Sequence, residues 1–183
     1  DAIEKKRIKS LEKIANYNEE TYNNIKIGIT HNRYSTTKNK SHQGFMDQIQ
    51  PLQFKNDSIE FDLVHNGNIS NIPKYISYDE NLSDTQNIIN FFNDTTIETF
   101  ENTLIHFINS IHCSYSIIIL FQNSLYVLRD SYGYKPLFLG TIHNRYCVIS
   151  EDCIDDFIKI REVQPGEIIK ITENTYETIY KTQ

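Results

Sequence analysis

Residues 114–129 read SYSIIILFQNSLYVLR. Two runs rich in Ile, Leu, Tyr and Val, 114–121 and 124–129, are separated only by a short Gln-Asn-Ser turn. Strands joined this tightly pair antiparallel, because a parallel pair needs a crossover of about a dozen residues or more. The pattern recurs towards the C-terminus. Runs at 136–141 and 145–149 meet around His143-Asn144, and runs at 160–163, 167–172 and 175–180 are split by Pro165-Gly166 and Glu173-Asn174. All of these are expected to pair antiparallel with their chain neighbours.

Working back towards the N-terminus, Ile97, Phe100, Leu104, Phe107 and Ile111 fall on one helical stripe. Ser83 followed by Gln86 is a capping-box pattern, which predicts a helix starting near Asp84. Ile59, Phe61 and Leu63 alternate with Glu60 and Asp62, a half-buried strand that runs into His65-Asn66-Gly67-Asn68. Residues 37–50 are polar and read as a long loop. Ile25, Ile27 and Ile29 alternate as in a strand leading into His31, and Ile3, Ile8, Leu11, Ile14 and Ala15 form a helical stripe over 2–15. The class is α+β, antiparallel sheet covered by two or three helices, in a single domain spanning 1–183.

Composition excludes several classes of function. Eighteen basic against twenty-four acidic residues give a net charge of −6 with no Lys/Arg cluster, so nucleic acid and anionic membranes are poor partners. The longest wholly apolar run, Ile117 to Phe121, is far short of the roughly 20 residues of a membrane helix. Cys113, Cys147 and Cys153 form no CxxC pair, and an odd count argues against a disulfide scaffold, so reduced thiols and a cytoplasmic location are expected. No pair of His stands at helical i,i+4 spacing with a third ligand near, and no P-loop, GxGxxG or GxSxG occurs. No metal or cofactor is expected, and His31 and His65 are read as hydrogen-bonded core or rim residues.

Four places carry groups suited to chemistry. In His65-Asn66-Gly67-Asn68, an Asn amide beside a glycine N–H can stabilise a developing oxyanion, although Asn-Gly is equally a common hairpin turn. Arg33, followed by Tyr34-Ser35-Thr36, can clamp a carboxylate, or can be a surface Arg before a turn. Asp84 at a helix start can accept an ammonium group or merely favour the helix dipole. Arg129-Asp130 with Gly133 and Lys135-Pro136-Leu137 reads as a structured turn.

In order along the chain, Gly28-Ile29-Thr30-His31-Asn32-Arg33-Tyr34-Ser35-Thr36, Gln50-Pro51-Leu52, His65-Asn66-Gly67-Asn68-Ile69 and Ser83-Asp84 resemble the class II glutamine amidotransferases, which are N-terminal nucleophile hydrolases. The branch most similar is the glutaminase domain of glutamine phosphoribosylpyrophosphate amidotransferase. Residues 129–137 look like its RDxxGxxPL turn, and Ser150-Glu151-Asp152-Cys153, with Arg161-Glu162-Val163 and Pro165-Gly166-Glu167-Ile168, looks like its SESxA and DVxPGE stretches. The resemblance implies a four-layer αββα sandwich of antiparallel sheets. It also implies attack on the glutamine side-chain amide by an N-terminal Cys whose own α-amino group is the base, release of ammonia, and hydrolysis of the thioester to glutamate. Carried over by motif, Arg33 with Thr36 beside it grips the α-carboxylate of L-glutamine, Asn66 and Gly67 form the oxyanion hole, and Asp84 takes the α-ammonium.

The resemblance breaks at the start. The family opens on a Cys-Gly-Ile strand, whereas this sequence opens on Asp1 and matches the family only from the helix that leads into the RYST strand. The nucleophile and the first strands are therefore expected to lie outside these 183 residues, and Cys113, Cys147 and Cys153 do not replace the nucleophile by position. The chain alone is expected to be inactive. An upstream segment or a partner chain is expected to complete the sheet, since losing an inner strand exposes unpaired backbone and apolar surface. The alternative is a non-catalytic glutaminase fold with a structural or interaction role.

Overall fold

A computed structural model describes residues 26–32, 48–69, 78–95 and 99–182. Among the described residues nine strands and two helices follow one another: β1 (Leu52–Lys55), β2 (Glu60–Asn68), α1 (Asp84–Asp94), α2 (Phe100–Ser110), β3 (Ser114–Phe121), β4 (Ser124–Arg129), β5 (Phe138–Ile142), β6 (Arg145–Ile149), β7 (Ile158–Glu162), β8 (Glu167–Ile171) and β9 (Tyr176–Lys181). They build a six-stranded sheet in the order β1-β2-β3-β4-β8-β9 and a three-stranded sheet in the order β6-β5-β7, with every pairing antiparallel.

The hairpin read from residues 114–129 is present with the expected limits, Phe121 opposite Ser124. Strand β1, just after the Gln50-Pro51-Leu52 motif, was not anticipated: it is only four residues long and its alternation is too brief to stand out. Strand β2 departs from the half-buried expectation. Phe61, Asp62, Leu63, Val64 and His65 are all buried, because this sheet is covered on both faces. The Pro165-Gly166 turn does not join a hairpin. It carries the chain from β7 in the small sheet to β8 in the large one, with Gly166 at φ +70° and its N–H donated to the Asp130 carbonyl.

The two faces of the large sheet have separate cores. On one side Phe61, Leu63, Tyr115, Ile117 and Ile119 pack against α1 and α2 through Ile88, Phe91, Phe92, Leu104, Phe107 and Ile108. On the other, Leu125, Val127, Ile169 and Ile171 meet Leu137, Leu139 and Val163 of the small-sheet layer. Each such side chain removed from water contributes roughly 1.5–3 kcal/mol. Helix α1 begins as its sequence dictates. Ser83 caps it, its Oγ accepting from Gln86 N–H while Gln86 Oε1 accepts from Ser83 N–H. Helix α2 is capped by Thr99, and its inward stripe is Leu104, Phe107 and Ile108.

Residues 26–32 alternate in exposure as a strand does, with Ile27 and Ile29 packed on the small-sheet core, yet they form no ladder and are not a strand. Period-two burial was real there; a pairing partner among the described residues is what is missing. The helix expected over 2–15, Ile97, most of the polar stretch 37–50, and both Arg33 and Thr36 lie outside the described residues.

Candidate functional site

Asn66 and Gly67 are not a turn. They sit inside β2, opposite Ser116 and Tyr115 of β3. Gly67 is required there by space: a Cβ would lie 2.1 Å from the Ser114 carbonyl oxygen, 2.7 Å from Tyr115 Cα and 2.9 Å from His65 Nε2. Register also fixes which way each group points. His65 and Gly67 share the helix-side face with Phe61 and Leu63, whereas Asn66 shares the opposite face with Ser116 and Arg129.

The backbone of Gly67 is placed just as definitely. Tyr115 donates its N–H to the Asp130 carboxylate (3.3 Å) and accepts Asp130 N–H at its carbonyl (3.1 Å), so both of its main-chain groups face away from β2. Opposed residues in an antiparallel ladder alternate between bonded and non-bonded pairs. The Gly67–Tyr115 pair is therefore non-bonded, and Gly67 N–H points to the β1 edge. Strand β1 begins only at Leu52, opposite Leu63. One pair further along that edge, the Gln50 side chain takes the place of a strand: its Oε1 accepts His65 N–H and its Nε2 donates to the His65 carbonyl at 3.1 Å. Gly67 N–H lies one pair beyond that, past the end of the ladder, beside the exposed Asn66 side chain.

Asp84 comes to the same end of β2. It is the first residue of α1, and its Oδ2 accepts the N–H of Ile69, two residues beyond Gly67, at 2.9 Å. The neighbouring Thr85 is buried and its Oγ accepts from Gln50 Nε2 (3.1 Å) while contacting His65 Nδ1 (3.3 Å). Burial pulls the His65 pKa down to about 3, with the positive fields of His31 and Lys135 acting in the same direction. His65 is thus a neutral, buried residue with Nδ1 against Thr85 and, among the described residues, no hydrogen-bond partner for Nε2. It is a core histidine, as expected.

The 129–137 segment is the structured turn expected of it. Asp130 is fully buried; its carboxylate accepts Tyr115 and Tyr132 N–H and its carbonyl accepts Gly133 and Gly166 N–H. Arg129 donates to Glu162 (2.8 Å), to the Gly133 carbonyl (2.8 Å) and to the Val163 carbonyl. Gly133, at φ +67°, faces Pro165. Arg161, Glu167 and Thr178 complete a second brace between the sheets: Arg161 donates twice to the buried Glu167 carboxylate at 2.8 Å, and Thr178 once at 2.6 Å.

The three cysteines are scattered. Cys113 is buried ahead of β3, Cys147 lies within β6 with its thiol pushed up by burial, and Cys153 is exposed in the loop after β6. Among the described residues no group of three or more His, Cys, Asp or Glu converges as a metal site, and no helix is long and apolar enough to cross a membrane.

The sequence pattern of a glutamine amidotransferase domain matches residues 31–154, about two thirds of the chain, a span that holds Asn66, Gly67 and Asp84. The chain belongs to the glutamine amidotransferase domain family. Its curated relatives include the amidophosphoribosyltransferase of Methanocaldococcus jannaschii, 31% identical in an alignment 165 positions long that covers 80% of this chain and 33% of that protein. Another is amidophosphoribosyltransferase 3, chloroplastic, of Arabidopsis thaliana, at 29% identity over 86% of this chain and 31% of the relative. This glutamine amidotransferase domain thus spans about a third of the length of the curated proteins it matches. Among solved structures, it resembles the glutamine phosphoribosylpyrophosphate amidotransferase of Bacillus subtilis complexed with ADP and GMP, at TM-score 0.67 and 25% identity, covering 81% of this chain and 33% of the other. A structure titled as the allosteric regulatory enzyme of purine biosynthesis superposes with TM-score 0.66, covering 74% of this chain and 31% of the other. The stacked antiparallel sheets are those of the αββα sandwich of N-terminal nucleophile hydrolases, as the motifs had implied.

Proposed function

We propose that this domain binds L-glutamine at the open end of β2 and serves a parent protein that hydrolyses it to glutamate and ammonia. The reading rests above all on one observation: Gly67 N–H lies past the end of the β1–β2 ladder, beside the Asn66 amide, with Asp84 anchored two residues further on. Two neutral donors suit the oxyanion that forms when a thiolate adds to the side-chain amide carbon. The carboxylate of Asp84 suits the α-ammonium, and Arg33 with Thr36 suits the α-carboxylate. Collapse of the tetrahedral intermediate expels ammonia and leaves a thioester, which water cleaves to glutamate and free thiol.

The attacking Cys, with its α-amino group as base, comes from outside these 183 residues in this reading, so the chain alone binds glutamine without hydrolysing it. Such a segment, upstream in the parent or in a partner chain, adds a strand to the small-sheet layer. The alternating exposure of residues 27–29, which join no ladder among the described residues, and the exposed Ile158 and Ile160 on edge strand β7 support this. The cytoplasm suits a domain with reduced thiols. Calorimetric titration of the chain with L-glutamine is expected to give a micromolar to millimolar Kd that Arg33→Ala abolishes. Glutamate release from the Cys-bearing parent is expected to vanish when its first Cys is replaced. A parent that retains that Cys yet releases no glutamate refutes the enzymatic reading and leaves the non-catalytic one.

A further inference from the structure

The hydrogen bonds of Gln50 go to His65 and Thr85, one residue away from the oxyanion pair and from Asp84, so it touches the segment that carries each. Its Oε1 accepts His65 N–H, and its Nε2 donates both to the His65 carbonyl (3.1 Å) and to Thr85 Oγ (3.1 Å). One planar amide thereby joins the residue before Asn66 to the residue after Asp84. Thr85 Oγ, which accepts from Gln50 Nε2, also lies 3.3 Å from His65 Nδ1, so Gln50, Thr85 and His65 form one continuous chain of polar contacts. His65 Nε2 in turn lies 2.9 Å from the position a Gly67 Cβ would occupy.

We propose that Gln50, acting through Thr85 and His65, is a positioning residue that sets the separation between the Asn66–Gly67 donors and Asp84, and with it the length of amino acid the site accepts. The proposal rests on the glutamine-binding reading. A side chain does this better than a strand would. Continuing β1 by two residues as regular ladder would satisfy His65 equally well, but would carry main-chain acceptors on towards Gly67 N–H and close the donor the site needs. Gln50 pairs His65 and stops. It also ties the stop to α1, so that the helix cannot shift along the sheet without breaking two hydrogen bonds to Thr85.

A brace that sets a length acts on a ligand spanning both ends and on the choice between ligands one methylene apart. The test is calorimetry of the whole 183-residue chain with L-glutamine and with L-asparagine, together with amide hydrogen exchange. Gln50→Met and Thr85→Val are expected to lower the glutamine-to-asparagine affinity ratio about tenfold, whereas Thr85→Ser, which keeps the hydroxyl, preserves it. Exchange at the His65 and Ile69 amides is expected to quicken at least tenfold in Gln50→Met while Val127, in the centre of the sheet, is unaffected. The proposal is overturned if the ratio holds in Gln50→Met, if both ligands weaken equally, or if exchange quickens throughout the domain. Should the unaltered chain bind no glutamine at all, the functional reading fails by itself. The exchange pattern then decides the brace: local quickening upholds it, and none refutes it.

Discussion

Replacing Gly67 by alanine adds a single methyl group at the point where β2 and β3 approach most closely. The added carbon would lie 2.1 Å from the Ser114 carbonyl oxygen, more than 1 Å inside contact distance, and 2.7 Å from Tyr115 Cα. Both are backbone atoms of a central strand, so no side chain can swing aside. The strands must part by about 1 Å, which stretches the bonded pairs on either side, Asn66 with Ser116 and Asn68 with Ser114. Two weakened ladder bonds cost about 1 kcal/mol each, and overpacking adds about 1–3 kcal/mol. A loss of about 3–5 kcal/mol follows, against a total stability of about 5–15 kcal/mol for a domain. With a urea m-value of about 2 kcal/mol per M, the unfolding midpoint falls by about 1.5–2.5 M. Glutamine binding is expected to be lost from the fraction that remains folded, since parting the strands also displaces Gly67 N–H. A midpoint within 0.2 M of the unaltered protein, with binding retained, would refute the close approach and the oxyanion geometry with it; that threshold is about 0.4 kcal/mol on the same m-value.

Neutral burial of His65 makes stability depend on pH. Its folded pKa is lowered to about 3 from 6.5, so the unfolded chain binds the extra proton, and stability is lost as pH falls below 6.5. The slope from His65 alone approaches about 1.4 kcal/mol per pH unit between pH 6 and 5, and urea titrations of His65→Asn should be shallower there by one proton. Below that window the carboxylates add to the loss. Burial by itself would raise the Glu167 carboxyl, but hydrogen bonds from Arg161, Thr178 and Gln164 N–H outweigh it and hold it low. Its stabilisation is present above the ordinary carboxylate pKa near 4.5 and disappears as acid protonates it. Glu167→Ala leaves Arg161 facing the sheet junction without its carboxylate, and is expected to cost about 3 kcal/mol by urea denaturation. Asp130→Ala leaves the buried Tyr115 N–H, and the Tyr132 N–H at the turn, without their carboxylate acceptor and should cost about as much or prevent folding, read by circular dichroism and solubility.

Much of this architecture was legible because its signals are local. The hairpin at 114–129, the Ser83–Gln86 capping box and the stripe Leu104, Phe107, Ile111 each need only a few neighbouring residues to be read. Failures came where distant partners decide. Nothing near Pro165-Gly166 says that β8 pairs with β4 and leaves β7 behind; that choice is made by Asp130, whose carbonyl holds Gly166. Asn66-Gly67 looked compatible with a turn because the reason for the glycine, the Ser114 carbonyl pressed against it, is some fifty residues away in sequence. Asp84 was legible as a helix start, and its contact with Ile69 was not. Gln50 attracted notice only as part of a motif, since a lone glutamine in a polar stretch gives no hint that it will serve as the last rung of a ladder.

The small sheet is drawn entirely from one continuous excursion of the chain. Strands β4 and β8 lie side by side in the large sheet, and β5, β6 and β7 are all threaded between them in sequence. The large sheet therefore keeps all its own pairings if that excursion detaches. The detached form would bare Val127 and Ile169, and would release Arg129 from Glu162 and Arg161 from Glu167. A domain wired in this way has a natural partially open state, with the excursion peeled back and the β2–β3–β4 scaffold intact. Amide protons of Leu139 and Gly140 should accordingly exchange through a cheaper opening than those of Ile117 and Ile119.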